Sequence, residues 1–438
     1  MRTWHLGRLL AVSSLTMLLA FGTPPAQAVS PPGVDDRWLP KPALPAPPRP
    51  TVQREVCATL AVDSGPGPNR PSRAVDLSEV WALTRGAGQR VAVIDTGISR
   101  HRRLPDVVAG GDYVSTGDGT QDCDAHGTLV AGIIAATADS KSDGFSGIAP
   151  EATVIGIRQS SAKFAPAGDR SRAGIGDVDS MAKAVRTAAD LGASVINISS
   201  VACVPVASAL DDRALGAALA YAVDVKNAVV VAAAGNTGGA GQCPPQPADA
   251  TWQTIRVAVS PAWYDDYVLT VGSVDANGAP SAFSLAGPWV DVAAPGEAVT
   301  SLAPEPVSGT SYAAPVVSGL AALIRARFPA LTARQVMRRI ETTARHPPAG
   351  WDSLVGNGTI DPLAAVSTGT GPPARTPAPP PAALPATAPP PATPPRDTRA
   401  RDTAVRGAAI CLTALALTLA AGAVRSRLRG SHDGVPGD

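Results

Sequence analysis

The chain has 438 residues, and its 42 glycines and 44 prolines make up about a fifth of it, which excludes one uniform globular domain. Lysine and arginine total 37 against 36 aspartates and glutamates, for a net charge of +1, so no global field points to nucleic acid or an anionic surface as a partner.

Residues 1–28 carry Arg2 and Arg8, an apolar run from Leu9 to Phe21, and Ala26-Gln27-Ala28, the pattern of a secretory signal peptide cleaved after Ala28. A spanning first helix needs about 20 apolar residues. This run stops at Gly22 and Pro24. Residues 29–75 form a proline-rich N-terminal extension, densest from Pro31 to Pro50. Little periodicity is present there, so extended chain packed on, or hanging off, a domain surface is expected.

The folded body is expected over 76–368. Short β-branched runs at 91–94, 154–157, 195–198, 229–231 and 268–271 alternate with Ala-rich stretches that predict helices near 126–138, 178–192, 209–226 and 311–327. Uninterrupted apolar strands bounded by helices predict an α/β fold with a parallel sheet covered on both faces. Active groups in such a fold gather at the carboxyl ends of the strands.

Residues 369–403 are a proline-rich linker, with 12 prolines between Pro372 and Pro395. No core can form there, and an extended stalk is expected in preference to a ligand for a proline-binding domain. Residues 404–424 are expected to be a transmembrane helix, since Gly407 to Val424 carry no charge. A buried core helix is the alternative, but no domain is left beyond the linker to bury it. Residues 425–438 then form a cytoplasmic tail beginning Arg425, Arg427 and Arg429. The whole reads as a single-pass type I protein of the cell membrane with its body outside the cytoplasm.

Cys411 falls in the expected span, which leaves Cys57, Cys123, Cys203 and Cys243 in an oxidising compartment. Three pairings are open to four cysteines. Cys203 and Cys243 each follow a predicted strand closely and should meet on one rim, leaving Cys57 for Cys123. No Cys-x-x-Cys pair suggests a metal site, and no Asp-rich loop has EF-hand spacing, so neither metal nor other cofactor is expected.

Four polar residues stand out. Asp95 directly follows the strand 91–94, in Val-Ile-Asp95-Thr-Gly-Ile; His126 opens a predicted helix as His126-Gly-Thr, with Asp124 available as its N-cap. Asn236 ends Ala-Ala-Ala-Gly-Asn236 after strand 229–231. Ser311 lies in Gly-Thr-Ser311-Tyr-Ala-Ala-Pro315, where a hydroxyl suits a cap and proline a first helical turn. Each alone reads equally well as turn or cap chemistry. Together they run Asp, His, Asn, Ser toward the ends of one sheet, the Asp…His…Ser order of subtilisin.

In all three motif neighbourhoods the residues resemble the subtilisin-like serine proteases, and Val271-Gly-Ser-Val274, Asp291-Val-Ala-Ala-Pro-Gly296 and the helix around Leu331–Val336 agree. The resemblance covers nearly all of 76–368 and implies a subtilisin-like fold that hydrolyses polypeptides. Ser311 is then the nucleophile, His126 the base that takes its proton, and Asp95 the group that orients the imidazole. The Asn236 amide and the Ser311 N–H become the oxyanion donors.

Two departures qualify it. Many subtilisins have paired glycines where this chain has Val201-Ala202-Cys203-Val204, which predicts a bulkier specificity pocket pinned at Cys203, unsuited to broad degradation. Residues 29–75 are also short for a folded pro-domain, and tethering through Cys57 predicts an extension that stays attached.

Signal peptide, extension, protease domain, stalk, span and tail are together similar to the mycosins, the membrane-anchored subtilases of type VII secretion in actinobacteria. That resemblance implies selective processing of secreted substrates. It also implies a structural role beside a type VII membrane complex that does not require proteolysis.

Overall fold

The computed structural model describes residues 29–60, 77–139, 145–169, 174–208, 210–239 and 241–367. The expected signal peptide, linker, membrane helix and tail lie outside these residues. Among the described residues no helix is long and apolar enough to cross a membrane.

In chain order the strands are β1 (Thr51–Gln53), β2 (Arg90–Asp95), β3 (Val107–Asp112), β4 (Thr153–Arg158), β5 (Phe164–Pro166) and β6 (Val195–Ile198). They continue with β7 (Ala202–Pro205), β8 (Val229–Ala233), β9 (Val257–Ser260), β10 (Leu269–Val274) and β11 (Val292–Pro295). Seven of them build one sheet in the order β11-β10-β8-β6-β2-β4-β3, every neighbouring pair parallel. The central strands are buried at nearly every residue, as β-branched runs covered on both faces must be. The helices His126–Ala135 and Thr310–Arg327 pack on each other, and Val178–Asp190 packs on Arg213–Ala220. The chain leaves β2 toward β4 and β3 on one side and later toward β6 and β8 on the other. Beyond the carboxyl end of β2 there is therefore a topological switch point, where such sheets hold their ligands.

The five predicted strands are all present, within three residues of their expected ends. Strands β3 and β11 are additions: β3 is interrupted by Gly110 and Gly111 at a register shift, and β11 ends in a proline. Such residues disguise a strand. The helix expected over 209–226 starts only at Arg213 and passes into a π-helical turn at Tyr221–Val225. Asp212 explains the late start. Its buried carboxylate accepts from Ser260 Oγ, Trp263 Nε1 and Tyr264 Oη, so it is committed to the loop around β9.

The extension packs on the body. Strand β1 pairs antiparallel with β5, the Val29 N–H donates to the Trp252 carbonyl at 2.8 Å, and Arg186 Nη1 donates to the Pro40 carbonyl at 3.2 Å. Disulfides join Cys57 to Cys123 and Cys203 to Cys243. The first closes a 66-residue separation. By the chain-entropy relation it should stabilise the fold by about 4 kcal/mol. Replacing Cys57 and Cys123 together by serine is expected to lower the thermal midpoint and make 29–60 susceptible to limited proteolysis first. Scanning calorimetry with mass spectrometry of the fragments checks this.

Candidate active site

Three elements present the polar residues. Asp95 ends β2 and is 1 % exposed, and its Oδ1 accepts from the Thr96 N–H at 2.7 Å and meets His126 Nδ1 at 2.7 Å. Asp95 Oδ2 is buried without a hydrogen-bond partner among the described residues. His126 is half-buried and opens its helix directly after Ala125, whose φ of 68° is left-handed. The close approach of that helix to β2 depends on Gly127. A Cβ there would lie 2.2 Å from the Gly97 carbonyl oxygen and 3.1 Å from Asp95 Cβ.

Asp124 is not the N-cap. No side chain caps the helix, and Asp124 instead accepts from Ser161 Oγ at 2.5 Å and the Ala162 N–H at 2.8 Å. The carboxylate that organises this loop is Asp122, which takes the Ala125 and Thr128 N–H groups at 2.8 Å each. Sequence reasoning passed over it because nothing local marks it. Its position four residues before the helix, where an aspartate can collect turn N–H groups, was the available signal.

Ser311 sits in the first turn of Thr310–Arg327, whose N-cap is Gly309 and not a hydroxyl residue. Pro315 lies in the second turn, not the first. Having no N–H, it leaves the Ser311 carbonyl without its intrahelical donor. Ser199 Oγ fills that place at 2.9 Å, and is itself held by Asn197 Nδ2 at 2.9 Å, while Ser318 Oγ donates to Asn197 Oδ1 at 2.8 Å. The end of β6 thus anchors the serine helix.

Asn236 follows β8. Its Oδ1 accepts from Thr310 N–H at 2.9 Å and Thr310 Oγ1 at 3.0 Å, which leaves Nδ2 as the donor end of the amide beside the helix N-terminus. His126, Asn236 and Ser311 all line one cleft of about 370 Å³. No hydrogen bond joins Ser311 to His126. Such contacts often tighten only when substrate binds. Val201 and both Cys203 and Cys243 line the same cleft, so the bridge forms part of its wall. An adjoining pocket shares Ser200 and Val201 and is walled by Ile175, Met181 and Leu215. Among the described residues no group of three His, Cys, Asp or Glu side chains is placed to hold a metal.

Withdrawal from water alone would lower the His126 pKa, but the charge and hydrogen bond of Asp95, with Asp122 and Asp124 behind, outweigh it and hold the pKa above the ordinary imidazole value. Tyr312, its ring 5.1 Å from that of His126, is pushed up to about 12 by burial and then by the Asp95 and Asp122 charges, and stays neutral. Chemically, the arrangement offers an alcohol, an imidazole oriented by a buried carboxylate, and an amide donor at a helix N-terminus.

The subtilase family model matches residues 86–358. Mycosin-4 of Mycobacterium tuberculosis is 72% identical over 387 residues, covering 84% of this chain and 85% of that protein. Among solved structures, the MycP3 protease from the type VII (ESX-3) secretion system superposes with a TM-score of 0.71 at 45% identity, over 78% of this chain and 100% of that one. A chain of the intact ESX-5 inner membrane complex does so with a TM-score of 0.72 at 39% identity, over 90% of this chain and 100% of that one.

Two outcomes follow from this geometry. Gly127→Ala, favourable by helix propensity, is expected to displace His126 from Asp95 and cost on the order of 100-fold in kcat/KM while the fold survives, as circular dichroism beside peptidase kinetics would show. An imidazole must be neutral to act as a base, and here the protonated form is favoured. Activity should therefore be lost on acidification at a midpoint above the unperturbed histidine value of about 6.5, read from the acid limb of kcat/KM.

Proposed function

The chain belongs to the subtilase family, as a mycosin and a subtilisin-like serine protease, and from that premise we propose that it is a membrane-anchored extracytoplasmic endopeptidase in which Asp95, His126 and Ser311 cleave peptide bonds through an acyl-enzyme. The observation that carries this reading is the 2.7 Å contact of His126 Nδ1 with Asp95 at the rim of the cleft that Ser311 and Asn236 share. With Nδ1 engaged, Nε2 is the ring nitrogen left to take the Ser311 proton as its oxygen attacks the carbonyl. Asp95 holds the tautomer and stabilises the imidazolium. The tetrahedral oxyanion is received by the Asn236 amide and the Ser311 N–H, with the partial positive end of the helix behind them. His126 then returns the proton to the leaving amine, and water repeats the sequence on the ester.

The substrates are proposed to be secreted proteins of a type VII system, met outside the cytoplasmic membrane to which residues 404–424 tether the domain. Support comes from the mycosin relatives and from a cleft walled by Val201 and a disulfide, a fixed wall that suits selective processing better than degradation. The second reading, a structural part of the secretion complex independent of proteolysis, is supported by the likeness to a chain of the ESX-5 inner membrane complex. The two roles are compatible.

A fluorophosphonate probe is expected to label the full-length chain and to fail on Ser311→Ala; an unlabelled parent would leave only the structural reading. Asn236→Ala should lower turnover by about 100- to 1000-fold with little change in KM, the loss seen when the equivalent donor is removed from subtilisin. Mature protein is expected to begin at Val29, with the extension still attached; Edman sequencing that starts near Asp76 would contradict this.

A further inference from the structure

The motif residues leave one buried ionisable group beside the site without a task. Asp122 is 8 % exposed, and its carboxylate is surrounded by donors alone. Oδ1 accepts from Thr96 Oγ1 at 2.8 Å, the Ala125 N–H at 2.8 Å and the Asp124 N–H at 3.1 Å. Oδ2 accepts from the Thr128 N–H at 2.8 Å and from Thr128 Oγ1 at 2.7 Å. The directions of both hydroxyl bonds are settled by what each hydroxyl itself accepts. Thr96 Oγ1 takes the Gly127 N–H at 2.9 Å, and Thr128 Oγ1 takes the Ser99 N–H at 2.9 Å, so both hydroxyl hydrogens are directed at Asp122.

A carboxyl proton would have no acceptor to face here, so the group is an anion. Thr96 lies immediately after Asp95, and Thr128 lies two residues after His126. One carboxylate therefore spans the two segments whose spacing sets the Asp95–His126 contact.

We propose that Asp122 is a positioning residue for the reaction: it locks the turn after β2 to the first turn of the histidine helix, and its charge favours the imidazolium that forms as Ser311 is deprotonated. The inference rests on the assignment of His126 as the base. The other groups facing His126 are accounted for: Asp95 bonds Nδ1, Asp124 is turned toward Ser161 and Ala162, and Tyr312 is neutral. Asp122 itself is subject to opposing influences, burial lifting its pKa and the Thr128 and Thr96 donors lowering it, with burial prevailing.

The test uses full-length chain with histidine Cε1 labelled for NMR, His126→Ala identifying the resonance. In Asp122→Asn the His126 pKa is expected to fall by about half a unit to one unit, since a like-shaped neutral group has replaced a charge. The rate of fluorophosphonate labelling near pH 8 is expected to fall about 10-fold or more through lost alignment. Thr128→Val keeps the charge and removes one donor, so it should slow labelling several-fold and leave the His126 pKa in place.

The proposal is overturned if a folded Asp122→Asn, its Cys57–Cys123 bridge intact, keeps its labelling rate within about twofold and its His126 pKa within about 0.3 of the parent values, or loses rate with an unmoved pKa. If Asp122→Asn does not fold, Thr128→Val decides, and an unchanged labelling rate overturns the proposal. A parent that takes no label at all fails the reading of Ser311 instead, and the His126 titration still decides the role of Asp122.

Discussion

The site depends on a single short contact, 2.7 Å between His126 Nδ1 and a carboxylate oxygen of Asp95, made where the carboxylate is almost out of water. Ion pairs of this kind repay burial only when geometry is held tightly. The surrounding chain supplies that constraint at every level. A parallel strand fixes Asp95 at a switch point of the sheet, a glycine lets the next helix approach within van der Waals range, and a left-handed Ala125 turns the histidine toward it. The serine and asparagine are set by a second group of restraints, through Ser199, Asn197 and Thr310, that belongs to β6 and the Thr310 helix. Two separate hydrogen-bond networks thus meet across one cleft, one holding His126 and the other Ser311 and Asn236.

The proline-rich extension is part of this order. Residues 29–60 return to the body through a strand pair, backbone hydrogen bonds, an ion pair between Lys163 and Glu55, and stacking of Arg213 over Trp38 at 3.8 Å. The exposed ion pair contributes little by itself. The disulfide is the stronger tie, and it lands three residues before His126 in sequence.

The central strands and the motif residues were legible because their signals are local: a β-branched run, then a polar residue at its end. Asp95 and Asn236 come from such places, and His126 and Ser311 from helix starts. What could not be read depends on partners distant in the chain. Asp122 and Asp124 are equivalent candidates in sequence, yet only the fold brings Thr96 and Thr128 to the former and Ser161 to the latter. Pro315 likewise looks like a first-turn residue until Ser199 is seen supplying the donor it lacks. Strand β3 has two glycines where side chains would collide: a Cβ on Gly110 would lie 2.5 Å from Ile157 Cγ1 of β4, and one on Gly111 would lie 2.2 Å from Pro45 Cγ of the extension. That is a packing requirement, invisible to any rule based on hydrophobic alternation.

The bond between Cys57 and Cys123 also affects how processing of this chain would be detected. A cut anywhere between those two cysteines yields two polypeptides that still travel as one, because sulfur joins what the nick has separated. Gel mobility under oxidising conditions would then hardly change between the intact and the clipped chain. Only thiol treatment before electrophoresis would reveal that a clip had occurred, and a clipped molecule would still hold both fragments through the bridge.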